Sequence, residues 1–147
     1  MSTLSENKKA RFEYEVLEPY EAGLMLHGHE VKSARLGRMA LAGAYVTISR
    51  GSLWLVGAQI QRYPQAGPLP DYDPQRTRKL LLHKREIQKL AGKMEQKGLT
   101  LVPLSVYTKG SKIKLSFGLA RGRKQFEKKD KLKKRDIDRE IRRSLKG

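Results

Sequence analysis

The chain has 147 residues, of which 32 are Lys or Arg and 15 are Asp or Glu, so its formal net charge is +17. This length suits one domain with one core, and a hydrophobic fraction of 38% is too high for a fully disordered chain. The lack of cysteine excludes disulfides and thiolate sites, no apolar run is long enough to span a membrane, and residues 1–9 lack a signal peptide's apolar stretch. We therefore expect a small, strongly basic, cytoplasmic protein.

Short strands are expected to dominate residues 11–120. Alternating or continuous apolar residues predict strands at residues 12–16, 21–26, 45–48, 53–56, 99–107 and 113–119. The third and fourth strands are expected to pair as a hairpin through residues 50–52, and the last two through residues 109–111. Pro103 has no N–H to donate to a strand ladder, so it is expected at an edge or a bulge.

Two helices are predicted between these strands. Residues 84–96 carry apolar side chains at helical spacing and are followed by a glycine stop signal, and a shorter helix is predicted at residues 29–36. Four prolines exclude regular structure from residues 63–74, which are expected to form an exposed loop. Five or six short antiparallel strands with one or two helices predict a small barrel, a fold that often binds oligonucleotides.

Basic charge is concentrated at the C-terminal end of the chain. Residues 121–147 contain 13 Lys or Arg and five acidic residues, a net charge of +8. Apolar residues are too sparse there to offset the entropy of ordering, so we expect a tail that is disordered when free. Ile137, Ile141 and Leu145 recur at helical spacing, which predicts a helix once a polyanionic partner neutralises the repelling charges.

Patterns of catalysis and metal binding are almost absent. His27 and His29 would share one face of a strand, but no acidic cluster supports them as metal ligands, so surface or interface positions are expected. Asp71 and Asp73 share a loop, where a turn-forming role beside prolines is favoured over a magnesium site. No dinucleotide, phosphate-loop or nucleophile-elbow motif occurs. The sequence therefore indicates a binding protein that needs no cofactor, rather than an enzyme.

Three groups of mostly basic residues are candidate RNA contacts. They lie in the N-terminal arm, at the end of the proline-rich loop and at the junction with the tail: Asn7, Lys8, Lys9, Arg11, Arg76, Arg78, Lys79, Arg121, Gly122, Arg123 and Lys124. Beside a strand-rich body with tyrosines, these groups point to RNA more than to duplex DNA. Their affinity for phosphates is expected to fall with salt. Trp54 is available for stacking on bases, but its apolar neighbours favour a core position.

Five blocks of the sequence resemble one protein family. The blocks are residues 7–14, 20–24, 28–33, 73–83 and 118–125, which follow the family's order and cover nearly the whole chain. They are similar to the SsrA-binding proteins, also called small protein B. The resemblance implies a mainly β fold, with a small closed antiparallel β-barrel of the oligonucleotide-binding (OB-like) kind over residues 1–122. Two or three α-helices would flank this barrel, and a basic C-terminal tail would follow at residues 123–147.

The resemblance also implies the function of the bacterial trans-translation adaptor. Such proteins bind the tRNA-like domain of transfer-messenger RNA and, through elongation factor Tu and GTP, bring it to stalled ribosomes for tagging of incomplete proteins. The implied ribosomal contacts are the decoding centre and the mRNA channel. No membrane partner is implied, and a cytoplasmic monomer is expected.

The resemblance also implies roles for individual residues. By motif, Asn7, Glu21 and Leu81 fall on positions that serve the RNA-binding face in the family, while the tail would enter the empty mRNA channel and become helical there. The implied ribosome-binding residues of the tail are Phe126, Lys128, Lys129, Lys131, Lys133, Lys134, Arg135 and Arg139. Phe126 stands where many relatives have histidine, and residues 127–129 read Glu-Lys-Lys where many have Asp-Lys-Arg. Phe126 can stack on a base but cannot hydrogen-bond to it.

Without the resemblance, the residues are also compatible with two other functions. A structural ribosomal protein with a basic extension would carry similar charge but copurify stoichiometrically with ribosomes. An RNA-processing enzyme would need an acidic cluster, which the sequence lacks, and would show nuclease activity that is lost on chelation.

Overall fold

The computed structural model of the chain describes residues 1–123. In this part the elements are, in chain order, β1 (Thr3–Glu6), α1 (Lys8–Glu13), β2 (Tyr14–Leu24), α2 (Gly28–Arg35), β3 (Met39–Ala40), β4 (Tyr45–Ser49), β5 (Ser52–Val56), β6 (Gln59–Ile60), β7 (Arg78–Leu81), α3 (Lys84–Lys93), β8 (Leu99–Lys109) and β9 (Lys112–Gly122). A single 3-10 turn at Pro64–Ala66 interrupts the proline-rich loop. The predicted tail, apart from its first residue, lies outside the described residues.

Seven of the described strands form one antiparallel sheet in the order β1-β8-β4-β5-β7-β2-β9. Because β9 pairs with β8 as well as with β2, the sheet closes into a ring, and β1 is attached to β8 outside it. Closure gives each ring strand a neighbour on both sides, although β4 and β8 are joined only at Val46 and Leu101. β3 and β6 form a separate two-stranded sheet. The predicted fold, mainly β with a closed antiparallel OB-like arrangement and flanking helices, is confirmed.

The core fills the inside of the ring because residues of alternate parity point inward along each strand. On β5, Leu53 and Leu55 are buried between half-buried neighbours. On β9, Ile113, Leu115 and Phe117 are buried in the same way. Burial of one such side chain stabilises the fold by about 2 kcal/mol. The intervening residues face outward, which makes the outer surface of the ring available to a partner.

The helices lie where the hydrophobic pattern predicts. α3 buries Ile87 and Leu90 against the ring and ends at Lys93, three residues before the predicted end. α2 lies within one residue of the prediction at both ends. None of the helices described in residues 1–123 is long and apolar enough to cross a membrane.

Both predicted hairpins are present. β4 and β5 pair in continuous antiparallel register, with Tyr45 opposite Val56 at one end of the hairpin. β8 and β9 form the longer hairpin, and the register between them shifts between Pro103 and Ser105. Of the two predicted positions for Pro103, an edge or a bulge, the structure has the bulge.

The start of the chain differs from the prediction of a strand at residues 12–16. The Asn7 side chain accepts a hydrogen bond from the Ala10 N–H and begins α1, which includes Phe12. The strand starts only at Tyr14. It then continues to Leu24 as one element rather than two, because a register shift between Val16 and Glu18 bends the strand without breaking it.

Gly118 on β9 lies close against the bend of β2. A Cβ atom on this glycine would lie 2.7 Å from Val16 Cγ1 and 3.4 Å from the Glu18 carbonyl oxygen. A larger residue would therefore force the two strands apart at the bend of β2.

Candidate nucleic-acid interface

A groove of about 520 Å³ runs over the outer face of the ring and the start of α3. Across three neighbouring strands, Leu81 of β7 lies opposite Gly23 of β2, and Gly23 lies opposite Lys114 of β9. Directly paired residues share a face of the sheet, so these positions form one outward row. We call this surface the β7–β2–β9 groove.

Leu81 gives the β7–β2–β9 groove an apolar surface. Leu81 is 50% exposed, so much of its apolar surface is open to a partner in the groove. Gly23 makes room for it: a Cβ atom there would lie 3.3 Å from Leu81 Cβ. In the groove, the Leu81 side chain therefore lies against the backbone of Gly23, which has no side chain to cover it.

Lysines surround this apolar surface. Lys79, Lys84 and Lys114 line the β7–β2–β9 groove together with two acidic residues, Glu21 and Glu86. Lysine ammonium groups bind phosphate oxygens as point charges and release counterions from nucleic acid. The lining thus combines cations that suit an RNA backbone with an apolar surface that suits a base or ribose.

Glu21 is held by two side chains from β8. The Tyr107 hydroxyl donates to Glu21 Oε2, and Lys109 Nζ lies 3.2 Å from Oε1. The hydrogen bonds from Tyr107 and Lys109 lower the pKa of Glu21. Burial, followed by the hydrogen bond to Glu21, raises the pKa of Tyr107 to about 12. The tyrosine therefore stays a neutral donor and the glutamate stays ionised near neutral pH.

Arg78 was predicted to contact RNA, but the structure buries it completely. Its guanidinium donates to Glu30 at 2.7 and 2.9 Å and to the carbonyl oxygens of Ala58, Arg76 and Pro74 at 2.8 to 3.0 Å. It points inward because it has the same parity on β7 as buried Leu80. With no exposed surface and its donors occupied, Arg78 supports the fold and does not reach a phosphate in this structure.

Glu30 is the centre of a buried network that joins α2, the proline-rich loop and β7. Both Arg76 and Arg78 donate to its carboxylate, and the Tyr72 hydroxyl donates to it at 3.1 Å. Burial raises the pKa of Glu30, but hydrogen bonds from Arg76, the His27 N–H and Arg78 outweigh it and hold the value at about 2. Arg76 keeps about a quarter of its side chain exposed.

Asn7, another predicted RNA contact, is also occupied within the protein. Its Oδ1 accepts from Ala10 N at 3.2 Å, its Nδ2 donates to the Pro103 carbonyl at 2.9 Å, and the residue is buried. Asn7 therefore fixes α1 against β8 rather than facing a partner. Its neighbours Lys8, Lys9 and Arg11 are exposed on α1.

The basic junction after β9 lies away from the β7–β2–β9 groove. Gly122 pairs with Tyr14 at the opposite end of β2 from Gly23. Arg121 is exposed and forms an ion pair with Glu15 at 3.0 Å, and the Arg123 N–H donates to the Glu13 carbonyl at 2.8 Å. Lys124 and the predicted tail contacts from Phe126 to Arg139 lie outside the described residues.

Trp54 does not belong to the core, contrary to the prediction. It is half-buried, and its indole N–H donates to the Ser49 carbonyl at 3.1 Å. Its partner across the sheet is Lys79, so it shares the outer face with that lysine. The parity of β5 explains this, because Leu53 and Leu55 on either side take the inward positions.

The histidines and loop acids make contacts within the protein. His27 and His29 stack at 5.9 Å between ring centroids, and His29 meets the edge of Tyr72 at 4.7 Å. Within residues 1–123, no group of three or more His, Asp or Glu side chains is arranged to hold a metal ion. The Gln75 N–H donates to Asp73 Oδ1, which is the predicted turn-forming role.

The structure thus brings together Glu21, Lys79 and Leu81 from the predicted set, and it adds residues that the sequence did not single out. The additions are Lys84, Tyr107, Lys109 and Lys114. For Lys114 a signal existed, since it alternates with the apolar residues of β9 and therefore had to face outward. For Tyr107 the signal was absent, because its partner is 86 residues away.

Comparison with known proteins identifies the family. The model of the SmpB protein family matches residues 4–147. The SsrA-binding protein of Thermosynechococcus vestitus is 51% identical over 146 residues, covering 99% of this chain and 96% of the relative. That of Carboxydothermus hydrogenoformans is 48% identical over 144 residues, covering 98% and 96%.

The fold comparison agrees with the sequence comparison. A solved structure described as "tmRNA-SmpB: a journey to the center of the bacterial ribosome" matches with a TM-score of 0.67 and 49% identity, covering 82% of this chain and 84% of that chain. A closed β ring with outward lysines, a family model that spans nearly the whole sequence and relatives near 50% identity all lead to the same conclusion. This chain belongs to the SmpB family of SsrA-binding proteins.

Proposed function

We propose that this protein is an RNA-binding adaptor of trans-translation, which binds the tRNA-like domain of transfer-messenger RNA and delivers it to stalled ribosomes. The observation that carries the proposal is family membership over residues 4–147, since the relatives are named for binding SsrA. The related solved structure, described by its name as tmRNA with SmpB and the ribosome, supports the same two partners.

In this proposal the β7–β2–β9 groove is the surface that recognises folded RNA. Lys79, Lys84 and Lys114 bind phosphates and set the orientation of the RNA. The exposed Leu81 side chain packs on a base or ribose, an uncharged contact that is insensitive to salt. Shape and apolar contact thereby supply selectivity that phosphate contacts alone do not give.

The basic segment that follows β9 has a separate role in the proposal. Residues 121–147 carry a net charge of +8, which suits a channel walled by ribosomal phosphate. An empty mRNA channel accepts this segment and allows it to become helical beside the decoding centre, whereas bound mRNA excludes it. The protein thereby distinguishes stalled ribosomes from translating ones.

The remaining parts of the proposal concern partners and setting. The protein acts as a cytoplasmic monomer, without a catalytic step of its own and without a cofactor, and elongation factor Tu with GTP takes part through the RNA it carries. The lysines and the exposed leucine of the groove support a role in recognition, because ammonium groups bind phosphates and an apolar side chain packs on a base or ribose.

Deletion of residues 123–147 tests the division of roles. We expect the truncated protein to keep its affinity for isolated transfer-messenger RNA within about threefold, because the groove is intact. Tagging of stalled nascent chains in a reconstituted translation system should be lost. A control with the same length of tail but its lysines and arginines replaced by glutamine separates charge from length.

Three outcomes would contradict the proposal. Full tagging by the truncated protein would rule out the role of the tail. Equal affinity of the full chain for the tRNA-like domain and for an unstructured RNA of equal length would rule out recognition of folded RNA. Stoichiometric copurification with ribosomes in cells, independent of transfer-messenger RNA, would indicate a structural ribosomal protein instead.

A further inference from the structure

Glu21 is an unexpected neighbour for RNA, because its carboxylate lines the same groove as Lys79 and Lys114. A negative charge in a phosphate-binding surface weakens binding through Coulomb repulsion. The contacts that Glu21 makes with side chains of β8 point to a role other than phosphate binding.

Both oxygens of the Glu21 carboxylate are engaged by side chains that come from another strand. The Tyr107 hydroxyl donates a hydrogen bond to Oε2, and the Lys109 ammonium donates one to Oε1. Tyr107 lies opposite Lys114 in the β8–β9 ladder, so its side chain continues the outward row of Leu81, Gly23 and Lys114 onto β8. The row crosses four strands and ends at the tyrosine.

We propose that Glu21 is a positioning residue, which holds the Tyr107 hydroxyl and the Lys109 ammonium at the rim of the groove so that the tyrosine ring and the lysine contact RNA. The inference rests on the proposed RNA-binding function and adds Tyr107 and Lys109 to its surface. A tyrosine fixed at its hydroxyl end presents its ring for stacking on an unpaired base, and the lysine keeps more than half of its side chain exposed for a phosphate.

The Glu21→Gln variant distinguishes a positioning role from a purely electrostatic effect, because the two predict opposite changes in RNA affinity. Removal of a negative charge from the groove should tighten RNA binding if only Coulomb forces act. Loss of the support for Tyr107 and Lys109 should weaken it, and we expect about a tenfold rise in the Kd for a transcript of the tRNA-like domain. Glu95→Gln is the matched control, because Glu95 is an exposed glutamate that does not line the groove. This control should bind as tightly as the unmodified protein or more tightly.

A triple variant separates positioning from direct contact. If Glu21 acts through Tyr107 and Lys109, addition of Glu21→Gln to the double variant with Tyr107→Ala and Lys109→Gln should change the Kd by less than about threefold. If Glu21 itself contacts RNA, the two losses should multiply. Tyr107→Phe, which keeps the ring and the packing, provides a milder change should the alanine variant fold poorly.

Titration of the tyrosine hydroxyl gives a readout that needs no RNA. The Tyr107 pKa, followed by ring resonances in NMR, should fall below about 12 in Glu21→Gln but stay raised, because burial, its largest cause, remains. An unchanged Tyr107 pKa, or an unchanged or lower Kd of Glu21→Gln, would overturn the positioning role. Failure of the unmodified protein to prefer the tRNA-like domain over a control RNA would instead overturn the proposed function.

Discussion

Two glutamates in this protein hold basic partners in opposite surroundings. Glu30 is fully buried, and two arginines donate to it from the interior and the loop. Glu21 keeps about 38% of its side chain exposed, and a tyrosine and a lysine donate to it at the rim of a groove. Similar hydrogen bonds therefore have different consequences. The buried cluster around Glu30 connects elements of the fold, whereas the exposed cluster around Glu21 leaves its partners accessible to a ligand.

The largest effect is expected from removal of the buried carboxylate. Glu30→Ala would leave Arg78 as an unpaired buried charge, so the free energy of unfolding should fall by about 3–5 kcal/mol. Urea denaturation would measure it. Glu18→Ala is a suitable control, because Glu18 pairs with Lys93 at the surface and should give a much smaller loss. Equal losses in the two variants would show that the buried network does not stabilise the fold.

Low pH should also reduce the contribution of the buried Glu30 network to the free energy of unfolding. The pKa of Glu30 is about 2 in the fold and about 4.5 in the unfolded chain, so its stabilisation is complete above about pH 5 and is lost as the pH falls toward 2. The loss is on the order of 3 kcal/mol. Unfolding free energies at pH 6 and pH 3 should therefore differ less in Glu30→Gln than in the unmodified protein, and an equal difference would contradict the contribution of Glu30.

The smallest effect concerns a single phosphate contact in the groove. Lys79→Gln should reduce the slope of log affinity for the tRNA-like domain against log salt concentration by about 0.7–0.9. Binding isotherms at several salt concentrations measure the slope. Lys97→Gln removes an equal charge from an exposed residue outside the groove and should leave the slope nearly unchanged. The same decrease in both variants would mean that overall charge, rather than the groove, attracts RNA.

The elements of the fold were largely predictable because their signals are local. Turns at residues 50–52 and 109–111 and the helical spacing in α3 lie within short stretches of sequence, and the structure has the corresponding elements. α1 was mistaken for part of a strand, although Asn7 is a recognised helix-capping residue. The alternation that starts at Phe12 predicts a strand there, and it competes with the capping signal of Asn7.

The candidate site was predictable only in part, because charge in a sequence does not reveal burial. Arg78 and Lys79 are adjacent and equally charged, yet one lies in the core and the other in the groove. The parity of β7 contained this information, since Arg78 shares its parity with Leu80. The partner that makes the burial of Arg78 tolerable, Glu30, is 48 residues away and cannot be inferred from spacing.

β9 fixes the geometry between the two surfaces through which this protein is proposed to work. It runs without interruption from Lys114 in the groove to Gly122, where the described chain ends one residue later. Eight residues at about 3.3 Å each place these points roughly 26 Å apart. Because β9 is hydrogen-bonded on both sides, it acts as a stiff spacer. In the proposed function, β9 would therefore fix the distance between RNA bound in the groove and the point from which residues 124–147 continue.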